Sequence, residues 1–289
     1  MKTVSISVLQ ALIITKNEDP NIRRVLNKLR WLERVIILDS YSTDRTIEIV
    51  RSFPNVEIHY RPFDTFARQC NYGLSLLSSE WVLSLDADYV LTDAFISETR
   101  QFLQKNEIGY SAYSSKFEFL IYGKPLISNN TTARPVLFRK ESVFYVDDGH
   151  AHRLELNGKA GLYKSSILHD DRKSLSRWLN NQDGYSIREC AKLLDPENQS
   201  AQSIINKIRR TKIFAPFLVF FYSLFVKGLI LNGWAGWYYT LQRTMVEMLW
   251  AIRMIEDEKL NKNDYSEKEH LSEQSSHAYD LKAEASSMN

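Results

Sequence analysis

Two aspartates at the end of an apolar run, Asp86 and Asp88, are the residues of this chain best suited to chemistry. Residues 83–88 are typical of a strand, so both carboxylates point the same way while Ala87 keeps the space between them small. Two like charges at a buried strand end are costly unless a cation or protons lie between them. A hard divalent cation that also binds a diphosphate removes this cost. The pair therefore predicts a site for a metal and a diphosphate.

The same two aspartates also fit two different roles. Acidic residues at strand ends serve as turn or cap residues, and Thr92 and Asp93 are suited to capping a following helix. The spacing of Asp86, Asp88 and Val90 also fits the signature of haloacid-dehalogenase-type phosphatases, with Asp86 as the phosphoryl nucleophile. The residues upstream of the pair decide between these roles and a metal site.

The composition excludes some classes of protein. The chain has 289 residues, 44% of them hydrophobic, and a net charge of only +2, which argues against a dedicated nucleic-acid-binding protein. Its two cysteines, Cys70 and Cys190, lie far apart without a metal-type spacing, which suits a reducing compartment. Residues 1–7 lack the basic and apolar regions of a signal peptide, so we expect a protein that faces the cytosol.

The first half of the chain alternates strand and helix patterns. Strands separated by helices imply a buried parallel sheet with right-handed crossovers, in which ligands bind beyond the carboxyl ends of the strands. Glu18, Asp39 and Asp86 each lie at or just past such an end, so we expect them to form one site. The predicted strands are 8–15, 35–38, 56–60 and 80–85, and the predicted helices include 21–32 and 65–79.

The second half of the chain is less regular. Strand-like segments recur between residues 109 and 168, at 113–121, 135–138 and 162–168, before a helical pattern over 174–194. An uncharged stretch over 213–226 follows, and its 14 residues are fewer than the roughly 18–20 that a spanning helix needs.

The C-terminal third combines basic, apolar and aromatic residues. A basic cluster comes immediately before the uncharged stretch, residues 228–240 are rich in tryptophan and tyrosine, and apolar side chains recur at helical spacing over 241–255. A helical core or an oligomer interface also explains these patterns, but we expect an anchor at a membrane surface. The basic cluster consists of Lys207, Arg209, Arg210 and Lys212.

Four segments, in this order, resemble the motifs of the inverting family 2 glycosyltransferases. They are Thr-Lys-Asn-Glu at 15–18, Leu-Asp-Ser-Tyr-Ser-Thr-Asp-Arg-Thr at 38–46, Phe-Ala-Arg-Gln-Cys-Asn-Tyr-Gly at 66–73, and Asp-Ala-Asp at 86–88. The resemblance covers roughly residues 8–180. It implies a GT-A fold (an α/β, Rossmann-like, mostly parallel sheet flanked by helices) and a nucleotide-diphospho-sugar donor. More narrowly, the chain is similar to the branch that adds sugars to lipopolysaccharide core and related envelope glycans.

The resemblance also implies roles for particular residues. Asp88 is expected to bind Mg²⁺ or Mn²⁺ directly, with His169, at a late strand end, completing the metal site. Asp86 is expected to contact the ribose or a metal-bound water. The other residues expected to contact the donor are Thr15, Asn17, Glu18, Asp39 and Arg68.

An inverting transfer also needs a general base within hydrogen-bond reach of the acceptor hydroxyl. Family members commonly supply an aspartate or glutamate downstream of the metal motif. Asp147 and Asp148 are the best-placed candidates in this chain, with His150 as a further alternative, and the adjacent Gly149 suggests an exposed loop. The choice between the two aspartates is open from the sequence.

The expected organisation has three parts. A GT-A domain covers 1–198, a helical membrane-associating region covers 199–256, and a disordered polar tail covers 257–289. The expected function is metal-dependent, inverting transfer of a sugar, by family habit from a UDP-linked donor, to a lipid-linked saccharide. We expect this reaction in cell-envelope polysaccharide or lipopolysaccharide synthesis, at the cytoplasmic face of the inner membrane. The expected partners are the donor, the acceptor and the membrane surface, without nucleic acid, and the oligomeric state is open.

Two other functions also fit parts of the sequence. A phosphatase that uses Asp86 as its nucleophile leaves the segments 16–18 and 39–46 without roles. A non-catalytic membrane scaffold of GT-A fold would keep the architecture but bind no nucleotide sugar. The intact acidic motifs argue against the scaffold.

Overall fold

Parallel strands with helical crossovers build the first half of the chain, as the sequence predicts. The computed structural model describes residues 8–105, 109–127, 132–148, 151–194 and 203–287. Its first strands are β1 (Leu9–Thr15), β2 (Val35–Asp39), β3 (Val56–Tyr60), β4 (Trp81–Asp86), β5 (Tyr89–Leu91), β6 (Tyr110–Ser115) and β7 (Phe117–Ile121). The later strands are β8 (Lys124–Pro125), β9 (Arg134–Arg139), β10 (Val143–Asp148), β11 (Ala151–Leu156), β12 (Lys159–Leu162) and β13 (Ile167–His169). The helices are α1 (Ile22–Asn27), α2 (Thr46–Val50), α3 (Phe66–Ser75), α4 (Asp93–Lys105), α5 (Leu175–Leu194), α6 (Ile204–Arg210), α7 (Phe214–Phe221) and α8 (Trp234–Ser287).

Two compact units divide the chain at places other than those the composition suggests. One unit comprises Met1–Asn181 and Tyr222–Leu241, and the other comprises Gln182–Phe221 and Gln242–Asn289. These units follow packing, whereas the expected parts 1–198, 199–256 and 257–289 follow composition, so the expected functional boundaries stay a prediction. The helix α8 continues past residue 257 to Ser287, and the glutamate, lysine and alanine of that segment have high helix propensity.

A mixed sheet forms the centre of the first unit. Over the described residues it has seven strands in the order β12-β6-β9-β4-β1-β2-β3, and β9 runs antiparallel to both of its neighbours. The parallel half places Thr15 opposite Asp39 and Ile14 opposite Asp86, so the carboxyl ends of β1, β2 and β4 lie at one edge. The expected α/β fold is confirmed, with one antiparallel strand inside a mostly parallel sheet.

A smaller sheet brings distant parts of the chain to the same edge. It has the order β5-β13-β7-β8, and β13 pairs with β5 so that His169 lies opposite Tyr89. The predicted strands 113–121 and 162–168 are each divided, because the chain leaves the large sheet near Lys116 and again after Leu162 to enter the small sheet. The short strand β5 is not predicted by the sequence pattern.

Close packing between α3 and the sheet depends on a glycine. A Cβ atom added to Gly73 would lie 2.6 Å from Leu12 Cδ1, well inside ordinary van der Waals contact. Leu12 is fully buried in a cluster with Cys70, Leu74 and Phe138, so little space is free beside it. Glycine therefore lets the helix that carries the third motif lie directly on β1.

A hairpin of β10 and β11 is attached to the same helix by one side chain. The amide of Asn71 donates to the carbonyl of Tyr145 over 2.8 Å, and its Oδ1 accepts from the Tyr145 N–H over 3.0 Å. The Tyr145 hydroxyl donates to Ser84 Oγ over 3.1 Å and so joins the hairpin to β4. Both contacts fix β10 beside the strand that delivers the aspartate pair.

The segment 222–241 adds an apolar surface to the first unit. Asn232 holds this segment in place: its Oδ1 accepts from the Ile127 N–H over 2.9 Å and its amide donates to the Pro125 carbonyl over 3.0 Å. Leu229 is buried against Leu126, whereas neighbouring apolar side chains face solvent. The exposed side chains include Phe225, Val226, Leu231 and Trp234.

The second unit is helical and contains an ion pair between a buried glutamate and a partly buried arginine. Glu247 is 2% exposed and accepts from Arg209 Nε over 3.2 Å and from its terminal nitrogen over 3.0 Å. This pairing offsets part of the cost of burying the charge of Glu247. Within the residues that the structure describes, no helix combines the length and the apolar character needed to cross a bilayer.

We expect Asn71→Ala to loosen the β10–β11 hairpin, because it leaves the N–H and the carbonyl of Tyr145 without their partner. Each unsatisfied group costs about 1–3 kcal/mol. The melting temperature should fall and hydrogen exchange at the Tyr145 amide should accelerate. Ser75→Ala, at an exposed position of the same helix, is the matched control. Unchanged exchange at Tyr145 in Asn71→Ala would contradict this account of how the hairpin is held.

Candidate active site

The loops after β1 and β2 are joined by a set of short hydrogen bonds. The Asn17 N–H donates to Ser42 Oγ over 2.7 Å, and Asn17 Oδ1 accepts from the Thr43 N–H over 2.8 Å. The Glu18 N–H donates to Thr46 Oγ1 over 2.7 Å. Asn17 has φ of 58°, a left-handed conformation that asparagine tolerates better than most residues. The first two motifs therefore form one rigid structure at the carboxyl edge.

Asp39 is the buried acceptor on which this structure depends. It is fully buried, and its Oδ2 accepts from Thr15 Oγ1 over 2.9 Å and from Ser42 Oγ over 2.5 Å. Its Oδ1 accepts from the Ser42 N–H over 2.7 Å. In this arrangement Thr15 and Asp39 position the loops, and their contact with a donor stays a prediction.

Glu18 and Lys173 form a largely buried ion pair beside these loops. Lys173 Nζ lies 2.8 Å from Glu18 Oε1 and 3.2 Å from Asp171 Oδ1, and the Asn21 amide donates to Glu18 Oε2 over 3.0 Å. Burial raises the pKa of Glu18 to about 7, although Lys173 lowers it. Burial also opposes the charge of Lys173, but Glu18, Asp88 and Asp171 raise its pKa above the ordinary range. Lys173 therefore carries its charge throughout the physiological range of pH.

Arg177 connects the two motif loops from the side of α5. Its guanidinium donates to the Asn17 carbonyl over 2.8 Å and to Asp19 Oδ1 over 3.1 Å, and it lies 3.3 Å from Asp44 Oδ2. Charge-assisted bonds of this kind are stronger than neutral ones. Arg177, which follows β13 in the chain, therefore stabilises the loops after β1 and β2.

Asp88 and His169 meet at the end of β4. Asp88 Oδ2 lies 3.3 Å from His169 Nε2, while Asp88 Oδ1 is buried and has no hydrogen-bond partner among the described residues. Burial opposes both charges, but attraction between the two groups lowers the pKa of Asp88 and raises that of His169. The rings of Tyr89 and Phe119, with centroids 5.1 and 4.6 Å from the imidazole, hold it in position.

The chemistry of this pair fits a divalent metal ion. Carboxylate oxygen and imidazole nitrogen are accepted ligands of divalent metals, and a cation would satisfy the unpartnered Asp88 Oδ1. Asp86 lies exposed at the rim of the same strand end. Among the described parts of the chain, no group of three or more His, Cys, Asp or Glu residues is placed to hold an ion.

The candidate bases lie on the hairpin. Asp147 is an exposed residue of β10, two positions after the buried Tyr145, so strand alternation places both on the same face. Asp148 belongs to the same strand, but its side chain lies outside the described residues, as does all of His150. Arg68 is exposed on α3, with its guanidinium 3.8 Å from Asp64, and its expected contact with a diphosphate stays a prediction.

Sequence reasoning missed four residues that the structure places at this edge. Lys173 and Arg177 belong to a charge-dense segment after His169, which is the only signal that would have indicated them. Tyr41 and Tyr60 follow β2 and end β3, and their rings stack with centroids 5.9 Å apart although both are exposed. Tyr41 has φ of 58°, a strained conformation that often accompanies function. A flat aromatic surface therefore faces solvent beside the buried carboxylates.

We expect stability to depend on pH through Glu18. Its pKa of about 7 in the folded chain exceeds the ordinary value of 4.5, so the folded state binds this proton more tightly than the unfolded state. The free energy of unfolding of the wild-type protein minus that of Glu18→Gln should be largest below about pH 4.5. This difference should decrease as the pH rises to about 7. Chemical denaturation of both proteins across this range measures the difference. A difference that is constant or increases with pH would contradict the assignment.

Comparison with known proteins gives a family match and several similar chains. Residues 11–153 match the family model described as Glycosyl transferase family 2. The glycosyltransferase RP128 of Rickettsia prowazekii (strain Madrid E) is 25% identical over 211 residues, which are 64% of this chain and 68% of the relative. The lipopolysaccharide core biosynthesis glycosyltransferase LpsC of Rhizobium meliloti (strain 1021) is 31% identical over 90 residues, which are 30% of this chain and 33% of LpsC.

Solved structures give weaker similarity. The Staphylococcus aureus TarS 1–349 complex with UDP-GlcNAc aligns with a TM-score of 0.46 and 14% identity over 83% of this chain and 81% of that chain. The Mycobacterium tuberculosis glucosyl-3-phosphoglycerate synthase complex with Mn²⁺, UDP and phosphoglyceric acid aligns with a TM-score of 0.42 and 15% identity, over 59% and 73% of the two chains.

Proposed function

The chain is a glycosyltransferase whose residues 11–153 form a family 2 domain, and from this premise we propose that it is a metal-dependent, inverting enzyme. The observation that carries the proposal is the pair of Asp88 and His169, in which a buried carboxylate oxygen has no hydrogen-bond partner among the described residues. The pair lies at the carboxyl edge of a largely parallel sheet, where ligands of such sheets bind.

The donor would lie along this edge with its nucleoside over β1, β2 and β3. The exposed rings of Tyr41 and Tyr60 offer a surface on which a nucleobase can stack. Glu18 lies beside the same loops and is suited to accept hydrogen bonds from base or ribose. By family habit we propose a UDP-linked sugar, since uracil presents an N–H group that a carboxylate accepts.

The diphosphate would lie at the end of β4. Asp88 and His169 would hold Mg²⁺ or Mn²⁺, with Asp86 at the rim for the ribose or a metal-bound water. When bound, the metal neutralises the charge that develops on the departing diphosphate. Lys173, whose charge is held by the surrounding carboxylates, supplies a second positive group close to Asp88.

Asp147 is our proposed general base. Its carboxylate would take the proton of the acceptor hydroxyl as that oxygen bonds to the anomeric carbon and the bond to the diphosphate breaks on the opposite side. This single displacement inverts the anomeric configuration. Asp147 is exposed, as access by an acceptor requires, and it shares a strand face with Tyr145, which contacts β4 through Ser84.

The acceptor we propose is a lipid-linked saccharide, used in cell-envelope or lipopolysaccharide synthesis at the cytoplasmic face of the inner membrane. In the second unit the side chains of Phe214, Phe217 and Phe221 are 66%, 62% and 55% exposed, and the exposed Lys207 precedes them. Apolar rings next to basic residues are suited to an anionic membrane surface. Flotation of the full chain with anionic vesicles tests this part, and absence from the vesicle fraction would overturn it.

The rival functions receive less support. A phosphatase using Asp86 leaves unexplained a family match that spans residues 11–153. It also gives no role to the linked loops of the first two motifs or to the pairing of Asp88 with His169. A phosphatase would release phosphate without a sugar acceptor, and a scaffold would bind no nucleotide sugar at all.

We expect Asp88→Asn to abolish metal-dependent transfer or hydrolysis of the donor, because it removes the charge that binds the ion. A fall of at least about 10²-fold in turnover is the expected scale for the loss of a charge-stabilising group. Release of UDP from UDP-sugars with and without Mn²⁺ measures it. Glu141→Gln, an exposed acid of the same unit, is the matched control. Undiminished Mn²⁺-dependent turnover in Asp88→Asn would exclude Asp88 as a metal ligand.

We expect Asp147→Asn to reduce the rate of transfer by about 10²–10⁴-fold, the usual contribution of a general base. Donor binding, measured by calorimetry with UDP and Mn²⁺, should not change, because Asp147 would contact the acceptor alone. Asp148→Asn is the matched comparison on the same strand. A full rate in Asp147→Asn together with a slow Asp148→Asn would reverse the assignment.

A further inference from the structure

A cavity lies on the face of the small sheet opposite the pair of Asp88 and His169. It has a volume of about 350 Å³, and both cationic and apolar side chains line it. Strand alternation separates it from the donor edge, because Leu168 and Val90 pair with each other on one face while His169 and Tyr89 pair on the opposite face. The lining includes Arg24, Lys28, Arg172, Val90, Leu120 and Leu168.

The two arginines that line this cavity carry more positive charge than Asp170, their shared partner, neutralises. Arg24 and Arg172 both bond to Asp170 Oδ2, over 2.8 and 2.7 Å, and Asp170 is 3% exposed. One carboxylate therefore serves two guanidinium groups. Burial and the nearby Arg172 lower the pKa of Arg24, although Asp170 raises it. An anion bound in the cavity would offset the repulsion between the guanidinium groups of Arg24 and Arg172.

One hydrogen-bond donor of the Arg24 guanidinium lacks a partner among the described residues. Arg24 Nε is buried and has no hydrogen-bond partner within the described residues, while both terminal nitrogens of Arg24 are bonded. A buried donor without a partner costs about 1–3 kcal/mol. An oxyanion or a water molecule held by one is suited to satisfy it.

The two other cations are placed to reach a ligand. Gly123, with φ of +84°, donates its N–H to Asp170 Oδ1 over 3.1 Å, and a Cβ atom there would lie 3.1 Å from a terminal nitrogen of Arg172. The glycine thus leaves room for that guanidinium. Lys28 lies 2.7 Å from Asp93, whose side chain is 88% exposed. Exposed pairs of this kind are weak, so Lys28 can exchange this partner for a ligand.

We propose that this cavity binds a sugar that carries a phosphate or carboxylate group. The oxyanion would lie between Lys28, Arg24 and Arg172, and the apolar face of the sugar ring would contact Val90, Leu120 and Leu168. This site lies apart from the donor edge and goes beyond the proposed function, so neither depends on the other.

The test measures binding to the full chain by calorimetry at constant ionic strength in chloride. The probes are glucose 6-phosphate, glucuronate and neutral glucose, which separate a phosphate from a carboxylate and both from the ring alone. We expect at least one charged sugar to bind and glucose not to bind. Arg172→Gln and Lys28→Gln should each weaken that binding by about tenfold, the effect of losing one charged hydrogen bond. Lys159→Gln, an exposed lysine of the same unit, should match the wild-type protein.

Three results would overturn the proposal. They are absence of binding by both charged sugars, equal binding by the wild-type protein and both glutamine variants, and displacement of the charged sugar by UDP. Lys28→Gln keeps the test valid if Arg172→Gln does not fold, since Lys28 lies at the surface. Binding without any sugar transfer would leave the site standing while the proposed function failed. Sugar transfer without binding of either charged sugar would leave the proposed function standing while the proposed site failed.

Discussion

Buried carboxylates at the carboxyl edge of the sheet impose the arrangement of nearly everything around them. Asp39 is buried and takes hydrogen bonds from Thr15 and Ser42, Glu18 pairs with Lys173, and Asp170 pairs with two arginines. Leaving any of these charges without partners would cost several kcal/mol. The end of β1 and the loop after β2 therefore supply neutral hydrogen-bond donors, and α1 and the segment after β13 supply the counter-charges. Asp88 is the exception, since one of its buried oxygens has no partner within the described residues.

Much of the first half of this fold is predictable from the sequence. The apolar runs before Asp39 and Asp86 give β2 and β4, and the order of strands and helices gives parallel pairing with a common carboxyl edge. This succeeds because burial on both faces makes such strands continuously apolar, a local signal. The resemblance to a known family added His169, and the structure places it 3.3 Å from Asp88. The family match over residues 11–153 confirms that resemblance.

Features that depend on contacts between residues far apart in the chain cannot be predicted from local sequence patterns. In the sequence Lys173 has no feature that distinguishes it from a surface lysine, and only the fold brings it to Glu18. Asn71 likewise has no feature that distinguishes it from other helix residues, and only the fold brings its amide to the backbone of β10. Asp39 is buried, and the bonds of its oxygens to Thr15 and Ser42 become visible only in the folded chain, while its expected contact with the donor stays a prediction. The break between β6 and β7 has no local marker, since it reflects a change of sheet.

Binding of Mn²⁺ in the presence of UDP tests the central claim most directly, because it reports the ion itself rather than turnover. Electron paramagnetic resonance of free Mn²⁺, titrated with the full chain and UDP, gives the affinity for the wild-type protein, Asp88→Asn and His169→Asn. We expect tight, UDP-dependent binding by the wild-type protein and its loss in both variants. Equal binding by all three proteins would contradict the assignment of Asp88 and His169 to the metal.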